Sequence, residues 1–133
     1  MIGTNSSIRA IPAPERHPEN VPFWEGSQAG RFMIRRCTAC RRSHWYPRPL
    51  CPFCLAESHW EAASGRGEVH TFSIIRRPDM QPYCIAYIRL DEDVLMLSNI
   101  VDCNLDAIRI GDRVQVVFKA AVDGTMVPMF TVI

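Results

Sequence analysis

Apolar and polar residues alternate most cleanly from Tyr83 to Leu90: Cys84, Ala86, Ile88 and Leu90 fall on one side, Tyr83, Ile85, Tyr87 and Arg89 on the other. A period of two puts successive side chains on opposite faces, so this segment predicts a strand with one apolar and one amphipathic face. Four further runs read as strands: Glu68 to Ile75, Val94 to Val101, Arg113 to Val122 and Met126 to Ile133. In the run from Arg113, Val114, Val116 and Phe118 face one way while Gln115 and Lys119 face the other. Asp123-Gly124 is a hairpin signal, Gly111-Asp112 a turn, and Asp91, Glu92 and Asp93 a solvated acidic tip. The interval Asp102 to Ile110 has room for a helical turn or two. Five short strands with a longer connection after the third predict a small barrel of the OB type, a helix between strands three and four closing one end; a sandwich fragment is the alternative.

Upstream the pattern changes. Pro12, Pro14, Pro18 and Pro22 remove backbone donors and restrict their predecessors, which predicts an extended or irregular arm lying on another part of the molecule. The segment Val21 to Met33 has helix-compatible residues between Pro22 and Gly30, with Phe23 and Trp24 as large apolar residues, and predicts a short helix. Gly65 and Gly67 punctuate the passage into the strand-rich half. The expected division is an N-terminal arm and helix over 1–34, a cysteine-bearing unit over 35–64 and the barrel over 65–133.

The 133 residues suffice for one domain with an appendage, not for a large multi-domain enzyme. Some 47% of them are apolar and the formal net charge is +1, the balance of an ordinary globular protein with no bias toward a charged partner. No run of about 18 apolar residues predicts a membrane span, and the first residues lack the apolar stretch of a secretory signal. The expected location is therefore the cytoplasm, where thiols stay reduced and six cysteines read first as ligands or core residues.

Between helix and barrel stands CTACRRSHWYPRPLCPFC, with two Cys-x-x-Cys pairs ten residues apart. Each pair brings two sulfurs to one side of a tight turn, so Cys37, Cys40, Cys51 and Cys54 are the expected ligands of a tetrahedral zinc. A metal-free fold or a redox pair are the alternatives, the latter disfavoured because no α/β unit surrounds the pairs. Four sulfurs leave no position for water or substrate, so the expected zinc is structural. Binding it costs four thiol protons and adds two charges, which takes the formal charge from +1 to −1 and offsets the basic look of Arg35, Arg36, Arg41, Arg42 and Arg48. Glycine is favoured shortly after the second cysteine of a knuckle, where φ is positive, yet Arg41 and Leu55 stand there. His44 is a spare ligand at best; His17, His59 and His70 read as surface or core histidines. Cys84 and Cys103 read as buried small hydrophobes, and no nucleophile-and-base arrangement or phosphate loop is present, so no catalytic residue is expected.

The segments FWEGSQAGRFMIRRCTAC, YPRPLCPFC, GRGEVHTFSIIRRP, PYCIAYIRL and IRIGDRVQVVF, taken in order, resemble the DUF35 family of acyl-CoA-associated proteins. The resemblance covers about residues 20 to 133. It implies a mainly β chain with a helical N-terminal segment, a rubredoxin-like zinc ribbon and a C-terminal five-stranded OB barrel. It further implies a non-catalytic accessory subunit of a thiolase-like enzyme (an acyltransferase or aldolase) or a MaoC-like hydratase, helping to hold or pass an acyl-CoA thioester. By position Cys37, Cys40, Cys51 and Cys54 match the ribbon cysteines; the departures are Arg41 for a frequent Gly and the Pro-Arg-Pro order at 47–49. CoA calls for cations, a stacking surface and an apolar slot, and Arg76, Arg77, Tyr83, Tyr87 and Arg89 are the candidates for these. Phe23, Trp24 and Trp45 are the candidate partner-interface anchors, Trp60 reading as core. A homo-oligomer is compatible with this reading. The competing function is a single-stranded nucleic-acid module, since ribbons and OB barrels both serve that end, but near-neutral charge argues against it.

Overall fold

A computed structural model describes residues 10–133. The first residues, over which the lack of a signal segment was read, and the very start of the proline-rich arm lie outside them.

The arm runs extended along the barrel, where the Val122 amide donates to the Ile11 carbonyl at 2.9 Å and Arg16 donates to Thr125 Oγ1 at 3.2 Å. It leads into α1 (Val21–Gln28), whose second position is Pro22, a residue tolerated there because first-turn amides have no helical acceptor. The helix ends at Gln28, inside the Pro22–Gly30 limits read from the sequence. Gly30, at φ 78°, takes the left-handed turn that lets its own amide reach Ser27 O at 3.0 Å and the Arg31 amide reach Gly26 O at 2.7 Å.

Three short strands follow, β1 (Met33–Cys37), β2 (Ser43–His44) and β3 (Ser58–Ala62), in the order β2-β1-β3 and antiparallel throughout. The barrel comprises β4 (Arg66–Arg77), β5 (Met80–Leu90), β6 (Leu95–Ile100), β7 (Arg113–Ala120) and β8 (Met126–Val132). It closes in the order β4-β5-β6-β8-β7, with β7 returning to β4. All five strand runs read from the sequence are present. A bulge between Val69 and Thr71 shifts the β4 register by one, so Val69 and Phe72 both point inward and β4 bends around the barrel.

The helix expected between strands three and four is reduced to a single turn. That segment forms one 3₁₀ turn, Leu105–Ala107, because Asn104 caps it locally through Asp106 N at 3.1 Å and Ile108 then drops into the core in extended backbone. The helix that does pack on the barrel is α1, against β8 and β1. Phe23, Phe32 and Phe130 link helix, ribbon and barrel by edge-on ring contacts at 6.0 and 5.9 Å, so one apolar core runs through all three.

Candidate functional site

The two knuckles are built alike. β1 ends at Cys37, the chain turns through Cys40, and the Cys37 amide reaches back to Arg42 O at 2.9 Å. In the second knuckle the Cys51 amide reaches Ala56 O at 2.7 Å, and the Leu55 amide reaches Cys51 O at 2.9 Å. Both turns require a left-handed residue just after the second cysteine, and Arg41 (φ 67°) and Leu55 (φ 68°) supply it despite their side chains.

The result is a single sulfur cluster. The four Sγ atoms lie within 4.8 Å of one another, Cys37 to Cys54 at 3.4 Å and Cys40 to Cys51 at 3.7 Å. A tetrahedron with metal–sulfur bonds of about 2.3 Å has edges of about 3.8 Å, so these positions need only small adjustments to take a zinc-sized ion. Amide donors are aimed at the sulfurs: Ala39 N and Cys40 N at Cys37 Sγ, Phe53 N at Cys51 Sγ, each at 3.3 Å. Burial pushes the Cys37 thiol up, but the Cys40 and Ala39 amides and the neighbouring thiols bring it down to about 6. For Cys40 the Arg42 amide pulls down, while burial and the sulfurs of Cys37, Cys51 and Cys54 push the thiol up to about 11. A divalent cation bound among the four sulfurs would displace the protons these thiols carry.

His44 is not part of the cluster. It is buried in β2, its Nδ1 3.2 Å from Tyr46 O and its Nε2 without a partner; burial first, then the nearby Arg35 and Arg48 charges, lower its pKa against the opposing Tyr46 hydrogen bond. His17, His59 and His70 are exposed.

The five CoA candidates do not converge. Arg76 pairs with Asp106 and, with Tyr83, lines a cavity of about 400 Å³ at the barrel rim. Arg77 turns to Asp79 at 3.3 Å, and Arg89 to Asp93 at 3.0 Å. Tyr87 stands between, exposed, in a shallow groove with Ile85 and Leu97. The sequence placed Tyr83, Tyr87 and Arg89 correctly on one face, but six residues of strand separate the first from the last by about 20 Å, too far to form one pocket. Of the interface candidates, Phe23 is corrected: at 2% exposure, with Trp24 and Trp45 rings 4.8 and 4.5 Å away, it belongs to this chain's own core. Trp24 and Trp45 are partly buried against that core, as is Trp60. The exposed face of Leu95 and Leu97 on β6 was missed, although the alternation of Leu95 and Leu97 with Val94 and Met96, apolar on both sides, was its signal.

Comparison with known proteins agrees with this architecture. Residues 24–59 match the model of the ChsH2 rubredoxin-like zinc ribbon domain, and residues 60–119 that of the ChsH2 C-terminal OB-fold domain. A DUF35 domain-containing scaffold protein of Methanothermobacter thermautotrophicus is 36% identical over 109 residues, 76% of this chain and 82% of that protein. The chain belongs to the DUF35 family. A probable enoyl-CoA hydratase alpha subunit of Thermomonospora curvata is 29% identical over 125 residues, but the DUF35 chain described here spans only 39% of its length against 90% of its own. Among solved structures, a chain of the Ltp2-ChsH2(DUF35) aldolase superposes with a TM-score of 0.78 at 27% identity, covering 90% of this DUF35 chain and 98% of that one. No helix among the described residues is long and apolar enough to cross a membrane.

Proposed function

We propose that this chain is a non-catalytic accessory subunit of a CoA-dependent enzyme, stabilising a thiolase-like (acyltransferase or aldolase) or MaoC-like hydratase partner and helping to hold or pass its acyl-CoA thioester. The observation that carries the reading is the likeness, over nearly the whole of both chains, to a chain of the Ltp2-ChsH2(DUF35) aldolase. The hydratase subunit related over 90% of this chain supports the hydratase alternative.

The sulfur cluster fits this reading. Cys37, Cys40, Cys51 and Cys54 would hold a zinc with all four positions taken by protein, which supplies folding energy and thiolate neutralisation. The ribbon is then a rigid part of the body and not a reaction centre. Trp24 and Trp45 remain the proposed aromatic anchors for the partner, and Arg76 with Tyr83 at the barrel rim the proposed remnant of the CoA contact.

The test is co-expression with thiolase-like and hydratase-like proteins encoded near this chain, followed by size-exclusion chromatography and metal analysis. Co-elution in a defined ratio, with about one zinc per DUF35 chain, is the expected result. A chain that stays alone with every such partner overturns the accessory role; clear sub-stoichiometry of zinc in folded protein overturns the metal assignment.

A further inference from the structure

Three large apolar side chains stand in solvent on the second knuckle: Leu50, Phe53 and Leu55, exposed to 50, 56 and 74%. Single exposed apolar residues need no explanation, but three within six positions of one tight turn do. None of them joins the apolar core that runs through helix, ribbon and barrel. Leu55 adds an observation of a different kind. It holds a left-handed backbone at φ 68°, where a bulky side chain is strained and glycine would not be. Standing largely in solvent, that side chain returns little packing to the fold for the strain. Backbone strain that local packing does not offset points to a use outside the chain. Arg41 repeats the pattern on the first knuckle, at φ 67°, exposed and without a carboxylate partner among the described residues.

Form and charge choose the occupant. The second knuckle is tied at its base by the Cys51 amide on Ala56 O and the Leu55 amide on Cys51 O, and both of its cysteines belong to the sulfur cluster. Its apolar side chains are therefore carried on a short, constrained projection, which fits a recess and loses little conformational freedom on entering it. Around it, Arg42 and Arg48 also lack a carboxylate partner among the described residues, lying instead against the rings of Phe53 and Tyr46. Glu57 is the one acidic residue in 37–57. A surface that covers Leu55 strips water from nearby guanidinium groups, whose N–H donors then need oxygen acceptors. An apolar recess with carboxylates on its rim meets both demands.

We propose that the second knuckle is the plug by which this chain docks on its enzyme partner, Leu50, Phe53 and Leu55 entering an apolar recess whose rim presents carboxylates to Arg41 and Arg48. The inference rests on the accessory role proposed above and adds the tip of the ribbon to Trp24 and Trp45. A membrane surface is the rival occupant, since exposed apolar and basic side chains also suit anionic lipid.

The full-length, zinc-replete chain is titrated by calorimetry into the purified thiolase-like or hydratase-like protein that co-elutes with it, and is sedimented separately with phosphatidylserine vesicles. Leu55→Gly is expected to weaken the complex at least about tenfold while the thermal midpoint does not fall, a combination that a merely structural Leu55 would not give. Leu50→Ser and Arg41→Gln should each weaken it severalfold at unchanged zinc content, and Ile110→Ser, which removes a 68% exposed apolar residue of the barrel, should bind as the parent does. Should Leu55→Gly lose zinc, Leu50→Ser with Phe53→Ser carries the same test without touching the left-handed position. A parent chain that forms the complex with knuckle variants that bind equally well overturns this inference and leaves the accessory role standing. A parent chain that binds no such enzyme overturns both. Vesicle binding that Leu55→Gly abolishes, with affinity for the enzyme unchanged, or an Ile110→Ser loss as large as that of Leu55→Gly, also overturns the docking plug.

Discussion

Arg41 and Leu55 occupy equivalent places in the two knuckles, and each sits in a backbone region that an L side chain enters at a cost of about 1–2 kcal/mol. Glycine removes that strain but returns roughly 0.5–1 kcal/mol through its freer unfolded chain. Because the Leu55 side chain is 74% exposed, little packing is lost on removing it. Leu55→Gly is therefore expected to stabilise the zinc-loaded protein by about 0.5–1 kcal/mol, raising its thermal midpoint by a few degrees; a lowered midpoint would show that the side chain supports the fold. His44 supplies a second prediction at this scale. Its folded pKa is lowered, so the unfolded chain binds the proton more readily, and the stability His44 contributes is present above about pH 6.5 and lost as pH falls below it. Urea midpoints from pH 7.5 to 5.5 should fall, and His44→Gln should flatten that slope; an identical slope in the variant would remove His44 as its source. The need for a left-handed residue in each knuckle was legible, because cysteine spacing fixes the turn. Which nitrogen of His44 is stranded was not, since it depends on what the ribbon folds over it.

At the scale of elements, the barrel strands were legible because each carries a period of two bounded by turn residues, as in β5, where Cys84, Ala86, Ile88 and Leu90 are all buried. The ribbon strands were not. β1 carries Arg35 and Arg36 in succession and β3 carries His59 and Glu61 around Trp60, so neither shows an apolar face, and they are strands only because Arg35 pairs with Trp60 across a loop closed by the cysteines. The shortening of the connecting helix to one 3₁₀ turn has the same origin, a local Asn104 cap and a core position for Ile108 outweighing a segment merely long enough for a second turn. The β4–β5 ladder offers the test at this scale. A Cβ on Gly67 would lie 2.4 Å from Arg89 O and 3.0 Å from Leu90 Cα, backbone atoms that cannot move without breaking the ladder. Gly67→Ala should cost about 1–3 kcal/mol, read as a lowered denaturant midpoint with unchanged m-value; an unchanged midpoint would mean that the strands slide apart freely.

Across the whole molecule, helix, ribbon and barrel depend on one another through the Phe23, Phe32 and Phe130 chain. Phe23→Ala should cost about 3–5 kcal/mol and loosen α1 and the ribbon together, seen as joint loss of amide protection in both; loss confined to the helix would deny the shared core. If zinc fills the sulfur cluster, chelation should expose ribbon amides to exchange while the barrel ladder keeps its protection, and readdition should restore them. Full retention of ribbon protection after complete zinc removal would show a fold that needs no metal. Taken by itself, the sequence determined the local grammar: strand faces from alternation, turns from glycine and aspartate, and a sulfur site from two spaced pairs, since each is set by residues a few positions apart. Tertiary structure alone decided which large residues are inside, that Phe23 is core while Leu95 and Leu97 are not, that the five CoA candidates scatter, and that Leu50, Phe53 and Leu55 stand out from one knuckle. Those outcomes follow from ladder closure and packing between segments tens of residues apart, which no local pattern encodes.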